Sequence, residues 1–243
     1  SVHVIGKDIL RFHAIYWPAF LLAAKIEPPS RVFSHGWILS GDEKMSKSKY
    51  NIQTPDDLVE KFGADTLRMY EMFLGPIEQA KPWNTAGISG VHSFLKKLWR
   101  LFYDDQTWIV DDSYPSKEML KTIHSTIKKV THDIESFSFN TCISSLMICV
   151  NELQILKCRS RGILEKLVIL LSPFAPHISE EIWHLIAKRS SEEALVISKW
   201  PKSKNDINNE IINEMSEIAK KLNVVLPISF FEKDNNAYFN SIA

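Results

Sequence analysis

The sequence predicts an α/β piece with a parallel sheet, followed by a bundle made only of helices. Three observations support this fold class. Strand-like, helix-like and strand-like apolar patterns succeed one another in the first 50 residues, and the apolar spacing becomes helical from residue 89 onward. The hydrophobic fraction, 45% of 243 residues, is also high enough for a buried core.

The α/β pattern occupies residues 1–50. The β-branched run at residues 2–5 predicts a buried strand, and the spacing over residues 9–24 predicts a helix that Asp8 caps. A second strand is expected over residues 32–39, with an interruption near its middle. Strand, helix and strand in this order form a βαβ unit, so ligands are expected beyond the carboxyl ends of the parallel strands.

A connector over residues 51–88 follows. Pro55 begins a short helix that Gly63 ends, Asp65 opens a second helix, and a loop rich in glycine and proline comes next. We expect the connector to join the sheet to the bundle.

Five apolar stripes between residues 89 and 201 predict the helices of the bundle. Their spacing alternates between three and four residues, as in Ile123, Ile127, Val130 and Ile134. Residues 202–243 are predicted to be a truncated or irregular C-terminal region, with a late strand over residues 224–231.

Composition excludes several classes of protein. Lysine plus arginine and aspartate plus glutamate number 29 each, so any contact with nucleic acid must come from local patches. Three cysteines without a C-x-x-C pair argue against a disulfide framework or a zinc site and indicate a reducing, cytoplasmic setting. No apolar run reaches the ~20 residues of a membrane span. The chain begins without methionine inside an apolar run, so we expect a fragment.

A string rich in lysine and serine follows the second predicted strand. Residues 41–51 read GDEKMSKSKYN, and residues 44–48 read KMSKS. Such a run is ordinarily a solvated turn; the alternative is a mobile cationic loop that grips the phosphates of ATP. A fully specified five-residue string arises by chance in roughly one of ten thousand such chains, and this one lies where a βαβ sheet places phosphate. We therefore favour the ATP-binding loop.

The KMSKS string resembles the second fingerprint of class I aminoacyl-tRNA synthetases. The resemblance implies a Rossmann-type catalytic domain, in which this loop acts when an amino-acid carboxylate attacks the α-phosphate of ATP. Lys47 would hold the charge that develops on pyrophosphate, and Lys44 would assist. The Ser46 and Ser48 hydroxyls and the loop amides, Met45 included, would add hydrogen bonds, and Mg²⁺ would accompany ATP without a protein metal site.

Residues 1 to about 43 resemble methionyl-tRNA synthetases. Residues 3–13, HVIGKDILRFH, are similar to a strand–helix junction of that family, and the stretch RVFSHGWIL continues the likeness up to the KMSKS string. The resemblance implies that Gly6 and Asp8 approach the bound adenylate and that Ile9 and His13 line the amino-acid pocket. Taken alone, His13 is as readily a core histidine bonded to a backbone carbonyl. The family's first fingerprint, HIGH, is not present, because Gly6 stands where its second histidine would be. We therefore expect the N-terminal catalytic half to be missing.

From about residue 49 to residue 201 the sequence resembles leucyl-tRNA synthetases instead. The stretches EMFLGPIEQAKPWNT, FSFNTCISSLMICVNEL and LVILLSPFAPHISEEIW carry this resemblance. It implies that the bundle is an anticodon-binding domain and that tRNA is a partner. Because the likeness changes at a motif that both families share, a recombined chain, an engineered fusion and an unusual lineage all remain open.

Basic residues on the bundle are the candidate tRNA contacts. Runs of charge are usually solvated faces, but clusters near helix ends can contact a phosphate backbone, and such binding weakens with salt. The candidates are Lys96, Lys97, Arg100, Lys157, Arg159 and Arg161.

The functional expectation is a fragment of an aminoacyl-tRNA synthetase that is inactive by itself. Leucine–tRNA ligase is the first interpretation and methionine–tRNA ligase the second. A different class of function, a tRNA-binding module without catalysis, is also open. Amino-acid-dependent exchange between ATP and pyrophosphate would favour the enzyme, whereas salt-sensitive tRNA binding without exchange would favour the module.

Overall fold

The computed structural model describes residues 1–41, 43–45, 50, 54–186, 194–203, 229–234 and 237–242. The chain divides into two compact units, residues 1–200 and residues 201–243. The first unit contains the sheet region, the connector and the bundle in the predicted order.

The first 35 residues form the predicted βαβ unit. Strand β1, Val2–Gly6, pairs in parallel with strand β2, Arg31–His35. Between them the chain makes a short helical turn at Lys7–Ile9, a wider turn at Phe12–Tyr16 and helix α1, Trp17–Ala23. The predicted helix is therefore present as three successive helical segments, and Asp8 lies inside the first turn instead of capping it.

The prediction of a buried strand at residues 2–5 is wrong for most of that strand. Val2 and Val4 are 50% and 51% exposed, and only Ile5 is buried. Phe12 and Phe20, in the helical segments that follow, are 59% and 70% exposed. Among the described strands β1 pairs with β2 alone, and Val2 and Val4 remain exposed in this two-stranded sheet.

A second small sheet joins the sheet region to the connector. It contains β3 (Ile38–Ser40), β4 (Glu43–Lys44) and β5 (Lys81–Pro82) in the order β4-β3-β5. Strand β4 is antiparallel to β3, whereas β5 is parallel to it. The predicted second strand is thus two strands, and the break between them separates the two sheets.

Gly36 lies in that break because the connector passes directly over it. A Cβ atom at this position would be 2.0 Å from the Gln79 carbonyl oxygen and 2.6 Å from the Ala80 nitrogen. The Gly36 N–H donates to the Ile77 carbonyl at 2.8 Å. Only glycine permits this approach of two backbones.

Two connector helices lead from the sheet to the bundle. They are α2, Pro55–Phe62, and α3, Ala64–Phe73. Gly63 separates them with a φ of 86°, a conformation that suits glycine. The prediction that Pro55 begins the first helix and Gly63 ends it is therefore confirmed, and the second helix begins one residue before the predicted Asp65.

The bundle contains five helices, one for each of the predicted apolar stripes, among the described residues. They are α4 (Ile88–Trp99), α5 (Lys117–Glu135), α6 (Phe139–Ile155), α7 (Arg161–Leu171) and α8 (Pro176–Ile186). The Ser116 hydroxyl caps α5 by accepting from the Met119 N–H at 3.2 Å. A hairpin of β6, Tyr103–Asp104, and β7, Thr107–Trp108, follows α4 and has no counterpart in the sequence analysis.

The predicted apolar stripes meet in one core that also contains the cysteines. Ile123, Leu146 and Leu167 are completely buried in it. Cys142, Cys149 and Cys158 are free and buried, and burial raises the pKa of Cys142 to about 12 and of Cys149 to about 11. Both thiols are therefore protonated and unreactive at neutral pH, as expected of core residues.

Asp65 fastens the connector to the bundle. Its Oδ2 accepts from the Ile178 N–H at 2.7 Å, and its Oδ1 lies 2.7 Å from Nδ1 of His177. The His177 N–H also donates to Oδ1 at 3.3 Å. A carboxylate at these first N–H groups of α8 satisfies donors that the helix leaves free and opposes the positive end of its dipole.

An aromatic contact joins the sheet region directly to the bundle. Phe33 on β2 stacks on Phe137, which follows α5, with 4.7 Å between ring centroids. The Arg31 guanidinium lies 4.7 Å from the Phe137 ring. Phe137 has a φ of 62°, which is unusual for a bulky side chain, and these contacts offset the strain.

The described part of the second unit is a hairpin. Strands β8, Ser229–Asp234, and β9, Ala237–Ile242, pair antiparallel. The predicted late strand overlaps β8, although its first residues lie outside the described part. Among the described residues, no helix is long and apolar enough to cross a membrane.

Candidate functional site

The first two residues of the KMSKS string lie on the β3–β4 hairpin. Lys44 is the last residue of β4, and the Met45 N–H donates to the Ile38 carbonyl at 3.2 Å. Gly41, with a φ of 61°, makes the turn between the two strands. The other predicted ATP contacts, Ser46, Lys47 and Ser48, lie outside the described residues.

A buried lysine lies on the sheet that carries this string, with charged side chains near it. Lys81 on β5 is only 8% exposed; burial lowers the pKa of its ammonium, and Glu78 and Glu71 raise it. Burial has the opposite effect on the carboxylate of Glu71 and raises its pKa, whereas the positive charges of Arg68 and Lys81 lower it. The negative charges of Glu78 and Glu71 therefore offset part of the cost of burying the Lys81 ammonium.

The carboxyl ends of β1 and β2 lie side by side. Gly6 is opposite His35 in the register, and a Cβ atom at Gly6 would lie 3.5 Å from Nε2 of His35. Asp8 follows in the next helical turn with an exposed side chain. Gly6 and Asp8 thus lie at the edge of the sheet where open α/β folds bind ligands.

The two predicted pocket residues, Ile9 and His13, lie about one helical turn apart. The His13 ring packs edge-on against Trp17 with 5.5 Å between centroids, and the His3 ring lies 4.9 Å from Trp17. Nδ1 of His13 is buried and has no hydrogen-bond partner among the described residues. Ile9 is 42% exposed. The pocket role of Ile9 and His13 stays a prediction.

Three of the six predicted tRNA contacts converge on one cleft of about 390 Å³. Arg100 follows α4, and Lys157 and Arg159 lie between α6 and α7; all three side chains are exposed. Asp104 and Asp105 also line the cleft, so its formal charge is positive by one unit. We call the surface formed by Arg100, Tyr103, Lys157 and Arg159 the basic cleft.

Tyr103 is a lining residue of the basic cleft that the sequence analysis missed. Its ring stacks on Trp99 with 4.7 Å between centroids and 11° between planes. Trp108 packs against its edge at 5.2 Å. Aromatic rings beside cations are the usual means of holding unpaired RNA bases. The sequence signal was the run YDDQTW, which is informative only once the hairpin is known.

The structure does not bring the other three candidates to the basic cleft. Nε of Arg161 donates to Oδ1 of Asp112 at 2.6 Å, and its guanidinium also donates to the Ile186 carbonyl. Lys97 donates to the side chain of Asn151. Lys96 is exposed and lines a separate cavity near the start of α8. Arg161 therefore has a structural role that its sequence neighbourhood did not indicate.

No group of three or more metal-ligating side chains occurs within the described ranges. The candidate site therefore consists of the strand ends near Gly6, the Lys44 hairpin and the basic cleft.

Two family models match the chain. The model of class I tRNA synthetases (M) matches residues 1–88, and the model of the anticodon-binding domain of tRNA ligase matches residues 116–227. Both lie in the expected order along the chain.

Curated relatives named leucine–tRNA ligase are similar to the chain. The protein of Cytophaga hutchinsonii is 50% identical over 246 residues, covering 100% of this chain and 26% of its own length. The protein of Christiangramia forsetii is 62% identical over 159 residues, covering 65% of this chain and 16% of its own length. The chain thus spans about a sixth to a quarter of these relatives.

The match to the Cytophaga hutchinsonii protein covers the whole of this chain and helps to explain why its sequence resembles two kinds of synthetase. One leucine–tRNA ligase matches on both sides of the KMSKS string, so a single natural protein carries the methionyl-like and the leucyl-like stretch. Neither recombination nor an engineered fusion is needed to explain them.

Solved structures with similar folds are also synthetases. A LeuRS of Agrobacterium radiobacter, solved as a ternary complex with tRNA and LeuAMS, has a TM-score of 0.73 at 23% identity, over 100% of this chain and 38% of its own. A methionyl-tRNA synthetase of Mycobacterium tuberculosis with methionyl-adenylate has a TM-score of 0.63 at 22% identity, over 80% of this chain and 46% of its own. At these identities the likeness concerns the fold.

Proposed function

We propose that the chain supplies the ATP-binding loop and the tRNA-binding bundle of a leucine-activating enzyme. The premise is that it belongs to the class I aminoacyl-tRNA synthetases, with relatives that are leucine–tRNA ligases. The observation that carries the proposal is the KMSKS string, which begins on a strand beside the βαβ unit. Identity of 50% to a leucine–tRNA ligase across the whole chain supports leucine as the amino acid.

The proposed chemistry follows from where charge develops. When the leucine carboxylate attacks the α-phosphate of ATP, negative charge accumulates on the departing pyrophosphate. Lys47 and Lys44 would neutralise that charge, and cations already in place lower the barrier because they need no reorganisation. Mg²⁺ bound with ATP would contribute in the same sense.

Gly6 and Asp8 would hold the adenylate at the strand ends, and Ile9 and His13 would contact the leucine side chain. Gly6 lets ligand atoms approach the backbone, and Asp8 offers a carboxylate to a ribose hydroxyl or an ammonium group. The exposed apolar side chains of β1 and the helical segments, Phe12 and Phe20 among them, would pack against a further part of the catalytic domain.

The bundle would hold tRNA through the basic cleft. Arg100, Lys157 and Arg159 would contact phosphates, and Tyr103 would stack on an unpaired base or a ribose. The full-length protein that contains this chain is therefore expected to bind tRNA and to exchange label between pyrophosphate and ATP when leucine is present.

Replacing Lys157 and Arg159 together by alanine is expected to weaken tRNA binding and to flatten its dependence on salt. Each phosphate contact that is lost lowers the slope of log Kd against log salt by about one unit, so the double variant should lose about two. Filter binding over a series of KCl concentrations measures this slope.

Lys121→Ala is the matched control, because Lys121 is an exposed lysine of α5 that does not line the basic cleft. It should leave the slope unchanged. If the double variant binds tRNA with the wild-type slope, the basic cleft is not the tRNA contact.

A further inference from the structure

A second cavity, of about 580 Å³, lies between connector helix α3 and bundle helices α5 and α6. This volume is in the range of small-molecule pockets, about 300–1,000 Å³. None of its lining residues belongs to residues 1–50 or to the basic cleft. Its charged and aromatic lining side chains are Arg68, Glu71, Glu135, Phe139, Phe174 and Trp200.

Aromatic side chains form preorganised walls of this cavity. Phe139 and Phe174 meet edge to face with 6.4 Å between centroids, and Phe174 is buried. Nε1 of Trp200 donates to Oγ1 of Thr131 at 2.8 Å, which fixes the indole ring. A planar apolar group can therefore be enclosed at little conformational cost.

The side chains that line the cavity include one cation, Arg68, and two carboxylates, Glu71 and Glu135, so one carboxylate of the lining is unmatched. Arg68 donates to the Pro173 carbonyl at 3.2 Å and, together with Lys81, faces Glu71. Glu135 is exposed at the end of α5 and makes no side-chain ion pair with any residue of the described segments. A cation in the cavity would gain from Glu135, whereas a phosphate would be repelled.

We propose that this cavity binds a small aromatic molecule with a positive charge, with its ring among Phe139, Phe174 and Trp200 and its cation beside Glu135. Such a ligand fits both features of the site, because the walls are apolar and the unmatched charge is negative. The cation also gains from the face of a neighbouring aromatic ring. The same unmatched carboxylate makes an RNA base with its phosphates an unsuitable occupant.

The test uses three probes with the same ring and different charge: tryptamine (cationic), tryptophol (neutral) and indole-3-propionate (anionic). Calorimetric titration of the full-length protein should show saturable binding in the order tryptamine, tryptophol, indole-3-propionate. Glu135→Gln should weaken tryptamine about fivefold and leave tryptophol unchanged, because only the ion pair is lost. Glu181→Gln, an exposed acid of α8 that does not line the cavity, is the matched control.

A second variant tests the aromatic wall. Trp200→Ala should weaken tryptamine and tryptophol alike by about tenfold, provided that thermal unfolding shows a folded protein. The proposal is overturned if tryptamine does not bind saturably, if the three probes bind equally, or if Glu135→Gln and Glu181→Gln have the same effect. It is also overturned if folded Trp200→Ala binds both ligands as the wild type does.

Discussion

Replacing Lys47 by alanine in the full-length protein is expected to slow leucine-dependent ATP–pyrophosphate exchange by about 10²–10³-fold. Removal of one preorganised donor from a transition state typically costs this much. The loss should appear mainly in kcat, because the ammonium acts on charge that appears only as pyrophosphate departs. Initial exchange rates at saturating and at limiting ATP measure the two contributions.

Lys49→Ala is the matched control for this prediction. Lys49 has the same charge and follows the KMSKS string directly, but it lies outside the string. If position within the motif matters, Lys49→Ala should retain activity within a few-fold of the wild type. Equal losses in both variants would mean that general positive charge, and not the assigned role of Lys47, supports the reaction.

Gly36→Ala is expected to lower the free energy of unfolding by about 3 kcal/mol. The new methyl group would meet the connector backbone at Gln79 and Ala80, which cannot rotate away as a side chain could. The two backbones would have to separate, and β5 would move away from β3. Since β3 also carries β4 and Lys44, exchange activity should fall as well.

Gly90→Ala provides the comparison. Gly90 is an exposed residue of α4, and no atom lies within 4 Å of the position that its Cβ would take. This variant should raise stability by about 0.5 kcal/mol, because glycine is a poor helix former. Urea denaturation of the 243-residue chain compares the two. A Gly36→Ala chain as stable as the wild type would contradict the close approach seen here.

The helices could be predicted from the sequence because their signals are local. Apolar spacing identified α5 to α8, and Gly63 marked the end of α2 through the conformation that it adopts. The exposure of β1 could not be predicted, since a β-branched run looks the same whether or not a further layer covers it. Strands as short as β6 and β7 have no periodicity to detect.

The parts of the candidate site that are marked by a sequence motif could be predicted. The parts that form only when distant residues come into contact could not. KMSKS is recognisable from its letters alone. The basic cleft is not, because Arg100 joins Lys157 only after α4 and α6 have packed together. Arg161 is close to both Lys157 and Arg159 in sequence. As the first residue of α7, however, it donates a hydrogen bond to Asp112. Of these three neighbours in the sequence, Lys157 and Arg159 therefore line the basic cleft and Arg161 does not.

The most direct test of this account is an exchange assay that compares amino acids in the full-length protein. Labelled pyrophosphate should enter ATP in the presence of leucine and stay at background with methionine or with no amino acid. Incorporation with methionine alone would assign the chain to a different substrate. If the protein still binds tRNA but no label enters ATP with leucine, the protein is a tRNA-binding module without catalysis. That result would contradict the catalytic role given to Lys44 and Lys47.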